Sequence, residues 1–214
     1  ATSYPGMNPY NFTMGNPIMA IDPDGDTNIY VIQPASISGA AMSVIVDNMQ
    51  RIFSLNSVES LTVLSIKPGE LPGLTLEKTD GIITLRDDLS KYGHGGNTDG
   101  DLRINKVIEY NDYIEEINDT YVNLNTTLSG LDSRSGESLL YGIAYIAAHE
   151  VLHQMIGKSG HWLTHDNTSP NIMHDGHYNI PILPEPGCLN IWEMLDAEII
   201  NTLNLFIHQN KITP

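Results

Sequence analysis

The stretch SLLYGIAYIAAHEVLHQMIG, residues 138–157, decides how this chain of 214 residues is built. Good helix formers run through all of it, and Gly157 stands where a helix commonly stops, so the stretch predicts one long helix. His149, Glu150 and His153 lie in its second half with apolar residues on both sides. Burying three such side chains without a partner is costly, so the pattern predicts that something binds them.

The five residues HEVLH (149–153) have the spacing of a metal site on a helix. Residues four apart lie one above the other on a helix face, so the imidazoles of His149 and His153 can reach one ion. Neutral imidazoles suit zinc, which lowers the pKa of a bound water to about 7. Glu150 is adjacent to the ion without being required as a ligand. It is therefore predicted to act as the catalytic general base and acid, taking the proton of that water and passing it on.

The segments on either side predict an α/β or α+β domain with a mixed, twisted sheet. The predicted order is strand, helix, several strands, the long helix, an irregular segment and a closing helix. The predicted strands are 28–35, 60–66, 81–87, 102–110 and 121–129, with KYGHGGNTDGD (91–101) as a loop, and the other predicted helices are 38–56 and 190–209.

Composition excludes several classes of partner. Acidic residues outnumber basic ones 26 to 10, for a formal net charge of −16, and such a surface repels phosphate backbones and anionic lipids. We therefore expect neither nucleic acid as a partner nor insertion into a membrane, since no apolar run has the length of a bilayer. Residues 1–16 also lack the basic start and apolar block of a signal peptide. The single cysteine, Cys188, excludes an intrachain disulfide and a cysteine-built zinc ribbon.

A catalytic zinc ion usually has a third protein ligand and one water molecule. Most of the candidates fall within 25 residues of His153, in a chain that contains only eight histidines. The candidates downstream are His161, His165, Asp166, His174, His177 and Glu193.

Two segments together resemble the metzincin clan of zinc peptidases. HEVLHQMIGKSGH (149–161) is similar to the clan's extended zinc motif, and SPNIMHDG (169–176) is similar to its methionine-bearing turn, with Met173 in the methionine's place. The spacing differs from the clan's: Gly157 falls four residues after His153 instead of three, and His161 falls eight after it instead of six.

The resemblance implies a metzincin-like zincin fold in which His161 is the third ligand and Met173 forms the floor of the site. It divides the domain into an N-terminal subdomain (27–157) and a small, irregular C-terminal subdomain (158–214) ending in a helix. Asp196 resembles the aspartate of the clan's closing helix, and Tyr178 is a candidate for helping the oxyanion. Two other third ligands remain open: His165 with Asp166, and Glu193 as in gluzincin peptidases.

Residues 1–26 resemble the tail of the RHS-repeat-associated core of large polymorphic toxins. The similarity lies in Asn8-Pro9-Tyr10-Asn11, Asn16-Pro17-Ile18 and Ile21-Asp22-Pro23-Asp24-Gly25. It implies that residues 27–214 are a secreted or delivered bacterial effector with a cognate immunity protein. A structural calcium ion is the alternative for this segment, because Asp22, Asp24, Asp26 and Asn28 alternate as loop ligands do.

The sequence therefore predicts a zinc-dependent endopeptidase that hydrolyses peptide bonds in a protein or peptide substrate. The alternatives are hydrolysis of a non-peptide amide, and a non-catalytic zinc-bearing domain that binds a partner or serves as a scaffold.

Overall fold

A computed structural model describes residues 27–58, 60–74, 79–89, 96–97, 121–125, 135–158, 170–173, 183–185 and 187–211. The tail at 1–26, the predicted strand 102–110 and three of the four candidate calcium ligands lie outside these ranges.

One mixed sheet carries the described strands. They are β1 (Thr27–Ile32), β2 (Leu61–Ile66), β3 (Gly81–Arg86), β4 (Gly96–Asn97) and β5 (Tyr121–Asn123), and their order across the sheet is β2-β1-β3-β5-β4. Strands β1, β2, β3 and β5 run parallel, and β4 pairs antiparallel with β5. The predicted α/β class and mixed sheet are thus confirmed, while β4 lies in a stretch that the sequence predicted as a loop.

Two helices cover one face of this sheet and form the main core with it. They are α1 (Gly39–Leu55) and α2 (Glu137–Lys158), and the strand residues that meet them alternate along each strand. The inward residues include Ile29, Val31, Val63, Ile83 and Leu85, whereas Tyr30, Ile32, Ile66 and Ile82 form a smaller cluster on the opposite face. The parallel strands are therefore apolar on both faces, as buried parallel strands usually are.

Helix α2 is buried all the way round. Every residue from 141 to 150 is buried, which is typical of a helix in the core of a domain. It begins after Gly136, whose carbonyl accepts bonds from the amides of Leu139 and Leu140, and continues through Lys158, one residue beyond the predicted stop at Gly157. In the described part of the chain, no helix combines the length and apolarity needed to cross a bilayer.

The predicted closing helix 190–209 is wrong in its first part. The structure has a short 3-10 helix at Ile191–Glu193, a break at residues 194–196, and then α3 (Ala197–Lys211). Asp196, predicted within the helix, is exposed and precedes α3, and its carbonyl accepts the amide of Ile200.

The break has a physical cause in the side chain of Asn56, at the end of α1. Its Nδ2 donates to the carbonyl of Glu193 (2.8 Å), and its Oδ1 accepts from the amide of Leu195 (2.8 Å). These backbone groups are then unavailable for helical bonding, and Met194 between them is extended. Apolar periodicity cannot reveal such a contact, because the contact joins residues 137 positions apart.

Helix α1 ends in a Schellman motif, which places Ser57 in a left-handed conformation. The Ser57 amide donates to the Ser54 carbonyl, the Val58 amide donates to the Phe53 carbonyl, and both Val58 and Phe53 are buried in the core. Ser57 has a φ of 59°, a region that costs residues with a Cβ but not glycine.

We therefore predict that Ser57→Gly raises the free energy of unfolding by about 1 kcal/mol. As a control, Ser43→Gly on the exposed side of α1 should lower it by about 0.5 kcal/mol, because glycine is the poorer helix former there. Denaturant titration measures both. A loss of stability in Ser57→Gly would contradict the left-handed helix end.

Candidate metal centre

His149 and His153 lie one helical turn apart on α2 and face the same point. Their Nε2 atoms are 3.1 Å apart, and their rings meet edge to face at 83° with centroids 4.7 Å apart. His149 is buried, whereas His153 is partly exposed. The predicted pair is thus brought together at a distance that a shared ion could bridge.

The backbone of a distant turn fixes the ring of His149. Its Nδ1 lies 2.7 Å from the carbonyl oxygen of Ile172. A carbonyl oxygen can only accept, so Nδ1 carries the proton and donates. In the neutral ring, Nε2 then presents its lone pair toward His153. Metal-binding histidines are usually oriented in this way, by a second hydrogen bond from the nitrogen that does not bind the metal.

The separation of the two Nε2 atoms fits zinc. A tetrahedral ion with Zn–N bonds of 2.0–2.1 Å spaces its nitrogen ligands about 3.3 Å apart. The observed distance of 3.1 Å between the two Nε2 atoms is close to this value. The same distance also fits an N–H···N bond from His153 to His149, so the geometry allows both an ion and a direct contact.

Glu150 is buried next to this pair on α2, and Met173 is buried in the turn that binds His149. Glu150 directly follows His149 and precedes His153 by three residues, so it shares a helix face with His153. Met173 belongs to the turn 170–173 that supplies the carbonyl to His149, and its amide donates to the side chain of Asn171 (2.7 Å). A side chain that bonds the backbone two residues on is typical of an Asx turn.

The other predicted site residues lie outside the described ranges: His161, His165, Asp166, His174, His177 and Tyr178. Within those ranges, no group of three or more histidine, cysteine, aspartate or glutamate side chains could hold a metal ion. Of the candidate ligands in the described part of the chain, only His149 and His153 are brought together.

Glu193, the remaining candidate ligand, is bound elsewhere. Its carboxylate forms an ion pair with Arg51 of α1 and accepts the amide of Asn190, and the side chain is fully buried. It lies beside Tyr141 and Tyr145, two turns and one turn before His149 on α2. Burial, and then the negative charge of Glu193, raise the pKa of both tyrosines, so both phenols are neutral at physiological pH.

Gln154 joins α2 to the sheet directly after His153. Its Oε1 accepts the amide of Ile82 (2.9 Å), and its Nε2 donates to the carbonyl of the same residue (3.0 Å). Strand β5 pairs with β3 only from Thr84 onward. At Ile82, Gln154 therefore supplies the backbone hydrogen bonds that a neighbouring strand would otherwise make. Gly81 suits this approach, since an added Cβ would lie 3.3 Å from Oε1. The sequence reasoning missed Gln154, although a polar residue in so apolar a helix was a signal.

Gln50 of α1 forms a similar pair of bonds at the edge of the sheet. It binds the carbonyl of Leu61 (3.0 Å) and the amide of Val63 (2.8 Å) on β2. These bonds are only partly buried, whereas those of Gln154 are buried. Each helix is thus fixed to a strand by a glutamine.

Comparison with known proteins gives no relative: no protein-family model, curated protein or solved structure matches this chain.

Gln154 and Gln50 form a matched pair for a stability measurement. We predict that Gln154→Ala lowers the free energy of unfolding by about 2–4 kcal/mol, because two buried backbone groups lose their partners. Gln50→Ala should cost about 1 kcal/mol or less, since water can reach the groups it exposes. Denaturant titration at constant pH measures both. Equal losses would contradict the role given to Gln154.

Proposed function

We propose that the chain is a zinc-dependent endopeptidase of metzincin-like fold that hydrolyses peptide bonds. The observation that supports this most strongly is the 3.1 Å approach of the two Nε2 atoms, together with the bond from His149 to Ile172 that turns its lone pair toward His153. Both contacts involve residues of the HEVLH motif, whose remaining polar member, Glu150, is buried beside them.

His149 and His153 would hold the zinc ion, and Glu150 would move the protons. Zinc, when bound, supplies a Lewis acid that polarises the scissile carbonyl and makes water a better nucleophile. Glu150 accepts the proton of the attacking water and then donates it to the leaving amine. Its place on the same face as His153 lets it act next to the reacting carbonyl without becoming a ligand.

His161 is the third ligand that we propose, with His165 and Asp166 together as the alternative. Glu193 is disfavoured as a ligand, because its carboxylate is already bound by Arg51 and by the amide of Asn190. Met173 serves as a buried packing surface below His149 and takes no chemical part. Tyr178 remains a candidate for stabilising the oxyanion.

The substrate would bind as an extended peptide along one edge of the described sheet. Among the described strands β4 stands at that edge, runs antiparallel and packs against α2. Strand addition uses the unpaired backbone groups of an edge strand, and it places the peptide along the motif helix. The opposite edge is less available, since Gln50 already binds the outer backbone groups of β2.

The effector role rests on the sequence of residues 1–26 alone. If that tail is the end of an RHS-associated core, residues 27–214 act after secretion or delivery and are held inactive by an immunity protein. A non-catalytic zinc-bearing domain that binds a partner or serves as a scaffold is the rival function. The observation that favours it is the longer ligand spacing, with His161 eight residues after His153.

Glu150→Ala separates the peptidase from the scaffold. We predict that this variant binds one equivalent of zinc, as the parent does, but loses peptide cleavage by at least a hundredfold, because a positioned general base contributes about 10²–10⁴ in rate. Cleavage is followed by mass spectrometry on a proteome-derived peptide library. Glu137→Ala, in the exposed first turn of the same helix, should cleave as the parent does. Undiminished cleavage by Glu150→Ala would exclude the mechanism.

The third ligand is identified by comparing four variants for zinc affinity. His161→Ala should weaken binding much more than His165→Ala, and Glu193→Gln should weaken it no more than Arg51→Ala does, because both of these variants remove the same ion pair and neither removes a ligand. Competition with a chromophoric chelator measures each dissociation constant. A loss confined to His165→Ala would transfer the ligand to that residue, and a loss confined to Glu193→Gln would restore the gluzincin alternative.

A further inference from the structure

The turn that orients His149 depends on a neighbouring segment for its own position. The carbonyl of Ile172 accepts from His149, and the amide of Ile172 donates to the carbonyl of Met194 (3.2 Å). Both backbone groups of one residue are therefore engaged, one by the candidate ligand and the other by the stretch before α3. A shift of Met194 would move the carbonyl that sets the tautomer of His149.

Met194 is in turn held from both sides by Asn56. Asn56 Nδ2 donates to the carbonyl of Glu193, the preceding residue, and Asn56 Oδ1 accepts the amide of Leu195, the following residue. The second Nδ2 hydrogen goes to the carbonyl of Ile52 (2.8 Å), within α1 itself. The Asn56 amide is buried, and each of its atoms is bonded to backbone, so its orientation is fixed.

Arg51 strengthens the same connection one turn earlier on α1. It forms the ion pair with the buried carboxylate of Glu193, and its Nη1 donates to the carbonyl of Cys188 (2.6 Å). Glu193 also closes the capping box with Asn190, which shapes the short 3-10 helix. The end of α1 thus fixes residues 188–195 through both a side-chain amide and an ion pair.

We propose that Asn56 is a positioning residue for His149, acting through Met194 and Ile172. Its side-chain bonds go to Ile52, Glu193 and Leu195, so among the described residues it acts on His149 at a distance, by holding the Ile172 carbonyl where His149 Nδ1 must donate its proton. Removing its amide frees the carbonyl of Glu193 and the amide of Leu195, so residues 193–195 can move and the Ile172 carbonyl with them. The inference rests on the proposed function only in its consequence for zinc, because the hydrogen bonds themselves involve no metal.

The test uses the zinc-free, ¹⁵N-labelled full chain and reads the tautomer of His149 by long-range ¹H–¹⁵N NMR at a pH where the ring is neutral. In the parent, His149 should be protonated at Nδ1. In Asn56→Ala the ring should populate both tautomers. The matched control is Asn204→Ala, which also removes an asparagine side chain at the end of α1, one that donates to the carbonyl of Ser57. It should keep the parent's tautomer.

Zinc affinity is the second readout. We expect Asn56→Ala to bind zinc about 10–100-fold more weakly than the parent, as other losses of a group that orients a ligand do, and Asn204→Ala to bind as the parent does. A folded Asn56→Ala that keeps the Nδ1 tautomer overturns the inference. A parent that binds no zinc overturns the proposed function instead, and the tautomer still decides the role of Asn56.

Arg51→Lys is the second variant, for the case that Asn56→Ala does not fold. The lysine keeps a positive charge beside Glu193. Its single ammonium group cannot also bind the Cys188 carbonyl, as the two-pronged guanidinium of Arg51 does. A partial shift of the His149 tautomer is expected. No shift in this variant, with Asn56→Ala unfolded, would count against the connection.

Discussion

Helix α2 must bury four polar side chains inside an apolar core, and the rest of the structure provides for them. His149, Glu150 and Gln154 are buried, and His153 is partly so, on a helix whose other residues in this region are apolar. A buried polar group without a partner costs about 1–3 kcal/mol, so each of them constrains what lies nearby. The Gln154 side chain forms hydrogen bonds with the backbone of Ile82 in β3, and the His149 ring donates to the carbonyl of Ile172.

These hydrogen-bond partners lie far apart in the sequence. The polar side chains of α2 therefore connect two groups of elements that pack around this helix. The parallel sheet and α1 form one side of α2, and the turn at 170–173 with residues 187–196 forms the other. The link between them is made by the hydrogen bond from the His149 ring to the Ile172 carbonyl, and by the side chains of Asn56 and Arg51 at the end of α1. The orientation of a candidate ligand therefore depends on a helix that carries no site residue.

Local patterns in the sequence predicted most of the described elements. The short apolar runs at 28–35, 60–66 and 81–87 predicted β1, β2 and β3, and the stretch at 138–157 predicted α2 to within a residue or two. The predictions that failed are those that depend on contacts between residues far apart in the sequence. The sequence predicts that the closing helix includes residues 190–196, because their apolar spacing is helical. In the structure, the bonds from Asn56 to the backbone of Glu193 and Leu195 interrupt this helix. Strand β4 was missed because it has only two residues, Gly96 and Asn97, which are too few to show a strand pattern.

The candidate site shows the same division. The spacing of HEVLH placed His149, Glu150 and His153 together on one helix, because helical geometry is local. The roles of the Ile172 carbonyl and the Gln154 amide could not be predicted from the sequence. Every residue has a backbone carbonyl, so the sequence cannot show which one binds His149, and a glutamine can form hydrogen bonds in many different settings. The third ligand depends on the path of the chain after Lys158, where the spacing of Gly157 and His161 already differs from the metzincin pattern.

Anomalous diffraction at the zinc edge, from crystals grown with one equivalent of zinc, tests the central claim most directly. The account predicts one peak within bonding distance of the Nε2 atoms of both His149 and His153, with His149 Nδ1 still bonded to the Ile172 carbonyl. Zinc bound away from this pair, for instance at the exposed His208 or Cys188, with His153 donating directly to His149, would contradict it.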